Sequence, residues 1–298
     1  MRVLIIGCGY VGLQLGAELV QQGHEVFGVR RSRGAEADLQ PAGVKHLVAD
    51  ITRPEQLAAL PQPWDWVVNC MSSSRGGLED YRAVYLQGMR NLIGWLLAAP
   101  PQKVVYTSST SVYGQNDGSL VTEASPTEPA TETGRVLVET ESVLIEAARQ
   151  SGLPGAILRV AGIYGPGRGY WFKQYVNGAA AIEGDGKRLL NMIHRDDVAG
   201  AAIAALQHGQ PGEIYNAVDD EPMTQLGFFQ WLSGSLGKPM PPFVPEEATA
   251  ALKRGVTSKK VSNRRLKLEL AYRFKYPTFR EGYAAELLRL DREGERQA

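Results

Sequence analysis

Six residues near the N-terminus, Gly7-Cys8-Gly9-Tyr10-Val11-Gly12, constrain this chain more than any other feature. The apolar run Val3-Leu4-Ile5-Ile6 leads straight into them, and Val11, Leu15, Leu19 and Val20 follow at helical spacing. The spacing predicts a strand, a tight turn and a helix. In that setting Gly7 makes the turn and Gly9 lets the backbone approach a pyrophosphate. Gly12 allows close helix–strand packing, with the anion at the helix N-terminus. Tyr10 and Val11 open the helix and join the glycines as candidate dinucleotide contacts. The competing reading, a glycine turn that holds nothing, is weakened by the strand–turn–helix context.

The alternation continues. Strand-like runs fall at 26–29, 45–49, 66–70, 103–107 and 156–160, with helical patterns at 78–99 and 134–150 between them. Compact apolar runs separated by helices predict an α/β fold, a Rossmann-like doubly wound parallel sheet covered on both faces. Residues 1–165 form the expected dinucleotide-binding domain, with a strand and helix returning to it near 191–220. Residues 166–298 read mainly as a small, discontinuous C-terminal substrate-binding domain, because 165–190 and 235–280 are rich in Gly, Pro and basic residues.

The end of the second strand bears on which dinucleotide binds. An NAD site places an acidic residue about 20 residues beyond the glycine turn to hold the ribose 2′-hydroxyl. Here the chain reads Arg30-Arg31-Ser32-Arg33. Guanidinium groups suit a 2′-phosphate, which a carboxylate would repel, so NADP(H) is expected over NAD(H). The alternative is a solvated basic loop. Asp50, after the third strand, either faces the adenine or caps the helix near Pro54. Asn69, Cys70 and Met71 end the fourth strand, where ligands bind in open parallel sheets.

Composition excludes several classes. The 298 residues carry 32 basic and 32 acidic side chains, which argues against a nucleic-acid partner. No apolar run approaches the roughly 20 residues of a membrane span, and the first strand does not read as a secretory signal. With two cysteines there is no disulfide framework, and a cytoplasmic setting is the default expectation. Four scattered histidines give no metal-ligand spacing. Cys8 and Cys70 read as small buried residues rather than redox groups, and Asp196-Asp197 as a helix cap.

Four later segments resemble a known family. They are Tyr106-Thr107-Ser108-Ser109-Thr110-Ser111-Val112-Tyr113-Gly114, Arg159-Val160-Ala161-Gly162-Ile163-Tyr164-Gly165-Pro166-Gly167, Ile193-His194-Arg195-Asp196-Asp197-Val198-Ala199, and Tyr215-Asn216. Their order and wording resemble the extended short-chain dehydrogenases/reductases, the nucleotide-sugar epimerase/dehydratase family. In that family a Ser holds the substrate oxygen, a Tyr moves the proton, and a Lys four residues later lowers the Tyr pKa. Ser109 matches the Ser. Thr133 stands at the Tyr position and Leu137 at the Lys position, and none of the twelve tyrosines has Lys four residues on. The family's helix-borne Asn is replaced by Tyr85, and Ile6 stands where the extended enzymes carry an extra Gly. The chain is thus similar to atypical members that lack Tyr-x-x-x-Lys.

Thr133, too weak an acid alone, would orient the substrate. Tyr113, Glu139 and Glu141 are substitutes for proton transfer, each with a plainer reading as a packed aromatic or a solvated carboxylate. Arg135 can bind a substrate anion or lie on an exposed helix face. Arg168, Lys187, Arg188 and Asn191 fall in segments that contact substrate in the family, and the basic ones suit an anion. Two functions follow as expectations. One is an NADP(H)-dependent oxidoreductase or epimerase/dehydratase-like enzyme on a small anionic or nucleotide-linked molecule. The other is a catalytically silent NADP(H)-binding sensor or partner-binding module. The resemblance also implies a homodimer through the helices at 78–99 and 134–150.

Overall fold

Seven parallel strands run through the centre of the molecule: β1 (Arg2–Ile6), β2 (Glu25–Arg30), β3 (Lys45–Val48), β4 (Trp66–Asn69), β5 (Lys103–Ser109), β6 (Gly155–Val160) and β7 (Ile214–Ala217). The computed structural model describes residues 1–73, 76–245 and 257–295. The spatial order is β7-β6-β5-β4-β1-β2-β3, so the direction of winding reverses between β1 and β4. Ile6 pairs with Val29 on one side and Asn69 on the other, and Asn69 pairs with Tyr106. β1, β2 and β4 therefore end close together while β5 runs on to Ser109, and a crevice opens at the switch point.

Helices cover both faces. α1 (Tyr10–Gln21) lies on one face with the later helix Arg195–His208. α2 covers the other as one rod in three parts, Leu78–Tyr81, a π-helical stretch Arg82–Gln87, and Gly88–Leu96. α3 (Glu132–Ser151) adds Leu144 to that second face. Thr131 starts α3, its hydroxyl accepting from Gly134 N at 3.1 Å, and Gly152 ends it at φ 67°. Among the described residues no helix is long and apolar enough to cross a membrane.

Beyond β6 come α4 (Tyr170–Val176), α5 (Arg195–His208), α6 (Gln225–Leu236) and α7 (Phe279–Glu295). α5 is small and apolar on nearly every side, which is what a helix wedged between α1, the sheet and the C-terminal segment requires. At Gly200 an added Cβ would lie 2.4 Å from the Tyr272 hydroxyl. The expected Asp cap is corrected here: His194 caps α5, its Nδ1 accepting from Asp196 N at 3.2 Å. Asp197 is instead fully buried and accepts from Tyr272 OH, Lys275 N and Tyr276 N, pinning the chain that follows residue 271. A separate aromatic core joins α4, α6 and α7, with Phe172 stacked on Tyr283 at 4.6 Å and Tyr164 on Tyr283 at 4.5 Å.

Candidate functional site

The three glycines of the first turn do different work. Gly7 sits at φ +79°, and a Cβ there would come within 2.9 Å of the Met71 backbone. A Cβ on Gly12 would lie 2.9 Å from the Gly7 carbonyl oxygen and 3.0 Å from Ile5. The protein's own packing demands both glycines. At Gly9 an added Cβ would meet nothing nearer than the Gly7 oxygen at 3.9 Å, so the chain itself does not need that space. No side chain caps the N-terminus of α1, whose amides open onto the same space. An anion of pyrophosphate size fits this arrangement. Tyr10 turns away from it: its hydroxyl donates to Pro166 O at 3.1 Å, and Arg168 and Arg195 flank its ring at 5.0 and 5.1 Å. It braces the turn against residues 164–168.

A cavity of about 550 Å³ runs from Gly7 and Gly9 past the end of β2. Ile6, Val29, Ala49, Ile51, Leu57 and Met71 give it an apolar side, and Arg30, Arg31, Ser32 and Asp38 a polar one. Arg30 is fixed at the rim, donating from Nε to Cys8 O at 2.5 Å and pairing with Asp38 at 2.7 Å. Arg31 is exposed on the wall. The side chain of Arg33 lies outside the described residues, and its backbone is in the turn Arg33–Ala35. Asp38 was not legible in the sequence: the acidic position to inspect is the end of β2, and Asp38 returns to the cavity from the short helix Glu36–Leu39.

Asp50 spends its carboxylate on its own turn, accepting from Thr52 N at 2.9 Å and Thr52 Oγ1 at 2.8 Å. The cap reading is thereby corrected: the helix Pro54–Ala58 begins at Arg53 without a side-chain cap, because the Asp50 carboxylate stops short at Thr52. Asn69 is buried and accepts from Met71 N at 3.1 Å, shaping the bend where the chain passes Gly7. Burial pushes the thiols of Cys8 and Cys70 up to about 12, so neither is a thiolate near neutrality.

Past the switch point, Ser109 is half-buried at the end of β5, its hydroxyl accepting from Ser111 N at 3.2 Å. The turn Thr110–Val112 that follows packs on α3. Thr133, in the first turn of α3, donates to the Thr131 hydroxyl at 3.3 Å. Leu137 is buried, so apolar packing replaces a cation at that position.

Of the four proposed proton or anion groups, two are buried in the core and two lie in solvent. Tyr113 is fully buried; its hydroxyl donates to Asn216 Oδ1 at 2.8 Å and accepts from Arg159 at 2.8 Å. Burial also raises its pKa, so it is a core residue and not a substitute catalyst. Glu141, expected at the surface, is 2% exposed, paired with Arg159 at 2.7 Å and accepting from Ser108 at 2.6 Å. Arg135 and Glu139 are the solvated ones, facing Glu132 and Arg82 respectively. Tyr85 is the residue whose position sequence reasoning undervalued. From the π-helical stretch of α2 its hydroxyl accepts from Ser73 N at 3.2 Å, just beyond β4, and its ring lies 4.9 Å from Tyr81. The i, i+4 spacing of Tyr81 and Tyr85 was the available signal.

Among the substrate-side residues, Lys187 is solvated beside Asp185 at 2.7 Å, and Arg188 pairs with Glu183 at 2.8 Å. Asn191 is a staple, donating to Lys259 O and accepting from Val261 N, both at 2.9 Å.

Comparison with known proteins agrees with this layout. The model of the NAD dependent epimerase/dehydratase family matches residues 3–217. Protein YeeZ of Escherichia coli strain K12 is 32% identical over 289 residues, covering 93% of this chain and 96% of its own. A 3-diazoavenalumate denitrifying reductase from a Streptomyces species is 26% identical over 318 residues, covering 96% of this chain and all (100%) of its own. The solved structure of a putative NAD-dependent epimerase/dehydratase from Methylobacillus flagellatus is 34% identical, covers 98% of each chain and superposes with a TM-score of 0.77. The fold is also that of DesIV, a dTDP-glucose 4,6-dehydratase from Streptomyces venezuelae, at 24% identity and TM-score 0.84, covering 98% of this chain and 97% of that one. The family model's match across residues 3–217, with the 32% identity to YeeZ over 93% of the chain, makes this chain a member of the NAD dependent epimerase/dehydratase family.

Proposed function

We propose that the protein is an NADP(H)-dependent oxidoreductase acting on a small anionic substrate. The observation that carries this reading is the cavity joining the ligand-sized space at Gly9 to the Arg30–Arg31 wall. The amides at the start of α1 would hold the diphosphate, and the two arginines the 2′-phosphate. Asp38 neutralises part of the Arg30 charge, and Arg31 stands on the same wall, exposed to the cavity. Bound there, NADPH supplies a hydride.

Ser109 keeps its lone pair on Ser111 N, which leaves the hydroxyl proton to donate to a substrate oxygen. Thr133 can orient that substrate but, with Leu137 in place of a cation, nothing activates it as an acid. The site therefore suits an acceptor that takes a hydride without a lysine-activated phenol. That the Streptomyces relative is named a reductase supports the direction of transfer.

The test is titration with NADPH and NADH, followed by nicotinamide fluorescence, for the natural protein and Arg31→Ala. NADPH is expected to bind at least about tenfold more tightly than NADH, with the gap closing in the variant. Equal affinities in the natural protein would overturn the NADP(H) assignment. Binding of neither would overturn the cofactor reading altogether. Binding without turnover of any reducible anion would favour the silent sensor, a reading that buried Leu137 and Tyr113 also suit.

A further inference from the structure

Lys259 is only 3% exposed. Its ammonium donates to Tyr113 O at 2.6 Å and to the Thr257 hydroxyl at 3.0 Å, both neutral acceptors. An ammonium has three N–H donors. Among the described residues the third meets no acceptor, and no carboxylate lies within 4.0 Å of the nitrogen. The charged neighbour that does act on it is another cation, Arg188, and burial together with that guanidinium pushes the ammonium down to about 8. A buried cation facing neutral oxygens and a like charge is an arrangement that proteins rarely keep unless something neutralises it.

Arg188 carries a second unsatisfied donor. One arm of its guanidinium is paired with Glu183 at 2.8 Å, but its buried Nε has no partner among the described residues. The two residues sit on adjoining segments: Leu189 N donates to Ser258 Oγ at 3.1 Å, and Asn191 Nδ2 to Lys259 O at 2.9 Å. The carbonyl gripped by Lys259 belongs to Tyr113, in the loop that follows Ser109, so the pair adjoins the loop that would place a substrate.

We propose that Lys259 and Arg188 form an oxyanion seat for the carboxylate or phosphate of the substrate. This rests on the substrate-processing reading above and gives the substrate's charge a location. Lys259 supplies a point charge with one free donor, and Arg188 a buried N–H from the adjoining segment. The bond from Lys259 to Tyr113 O fixes the seat relative to the Ser109 loop.

The test is thermal melting of the full chain against inorganic phosphate and against acetate at constant ionic strength, for the natural protein, Lys259→Met and Arg188→Gln. At least one anion is expected to raise the Tm of the natural protein saturably, with half-saturation about tenfold weaker in both variants. A response to acetate alone marks a carboxylate seat, and to phosphate alone a phosphate seat. The glycine turn can also take phosphate, but all three proteins share it, so the difference between them isolates the seat. Identical responses in the three proteins, or none in the natural one, would overturn the proposal. If Lys259→Met does not melt cooperatively, the Arg188→Gln comparison decides alone. NADPH titration of the natural protein reads the cofactor assignment separately, so either idea can fail without the other.

Discussion

Gly9 and Gly7 are two residues apart and of one type, yet they answer to different demands. The strain at Gly7 is internal, since a side chain there meets the Met71 backbone at a positive φ. At Gly9 an added Cβ meets only the Gly7 oxygen at 3.9 Å, so under the proposed function the demand there is set by the cofactor. Gly7→Ala is expected to destabilise the fold by about 1–3 kcal/mol through that strain. Gly9→Ala should cost less than about 1 kcal/mol and instead weaken NADPH binding severalfold or more. Urea melts and fluorescence titrations of the two variants check this, and equal stability losses would show that Gly9 is a structural glycine only. The glycines were legible because a turn between a strand and a helix is a local geometry. The Arg30–Asp38 pair was not, because nothing in the spacing of those residues says that the chain doubles back.

Among the elements, α3 is where reading by helical exposure fails. Aligning its flanking Gly and Glu puts the missing Tyr and Lys at Thr133 and Leu137. The same helix was expected to show Glu141 to solvent, but the side chain faces β6 and Arg159. A carboxylate is read as exposed by default because burying it costs more than most residues return. Here Arg159 and Ser108 hydrogen-bond the carboxylate, and Arg159 also donates to the Tyr113 hydroxyl. Glu141→Leu should therefore cost about 3–5 kcal/mol by leaving Arg159 buried and unpaired. The double variant Glu141→Leu/Arg159→Met should recover part of that loss in denaturant unfolding. Additive losses would mean that the pair is not coupled. The π-helical stretch that presents Tyr85 was likewise invisible, since its residues keep ordinary helical spacing in the sequence.

At the scale of the molecule, the parallel sheet was readable because each strand is short, apolar and bounded by a helix. The C-terminal half was not, because its core is assembled from aromatic residues far apart in the chain, from Tyr164 to Tyr283. The loop after β7, close to that core, holds a buried acid, Asp219. It is 2% exposed, one carboxylate oxygen accepts from Glu221 N at 3.3 Å, and the other has no partner. Burial, with neighbouring carboxylates adding to it, pushes this group up to about 8. The folded protein thus keeps a proton that the unfolded chain releases near pH 4. Stability from Asp219 is complete below pH 4 and is lost as pH rises to about 8, by at most about 1.4 kcal/mol per pH unit. His194 opposes this at lower pH: burial holds it neutral down to about 4, so its contribution grows as pH rises toward its unfolded value near 6.5. Between about pH 6.5 and 7.5 the Asp219 slope outweighs the others, since the Lys259 ammonium, pushed down to about 8, adds an opposing slope only above that. Unfolding free energies measured by urea across that window should fall with pH in the natural protein and flatten in Asp219→Asn, which should be the more stable of the two at pH 8. Parallel profiles would show that Asp219 is already ionised in the folded state, and that the loop after β7 supplies a partner the static structure does not display.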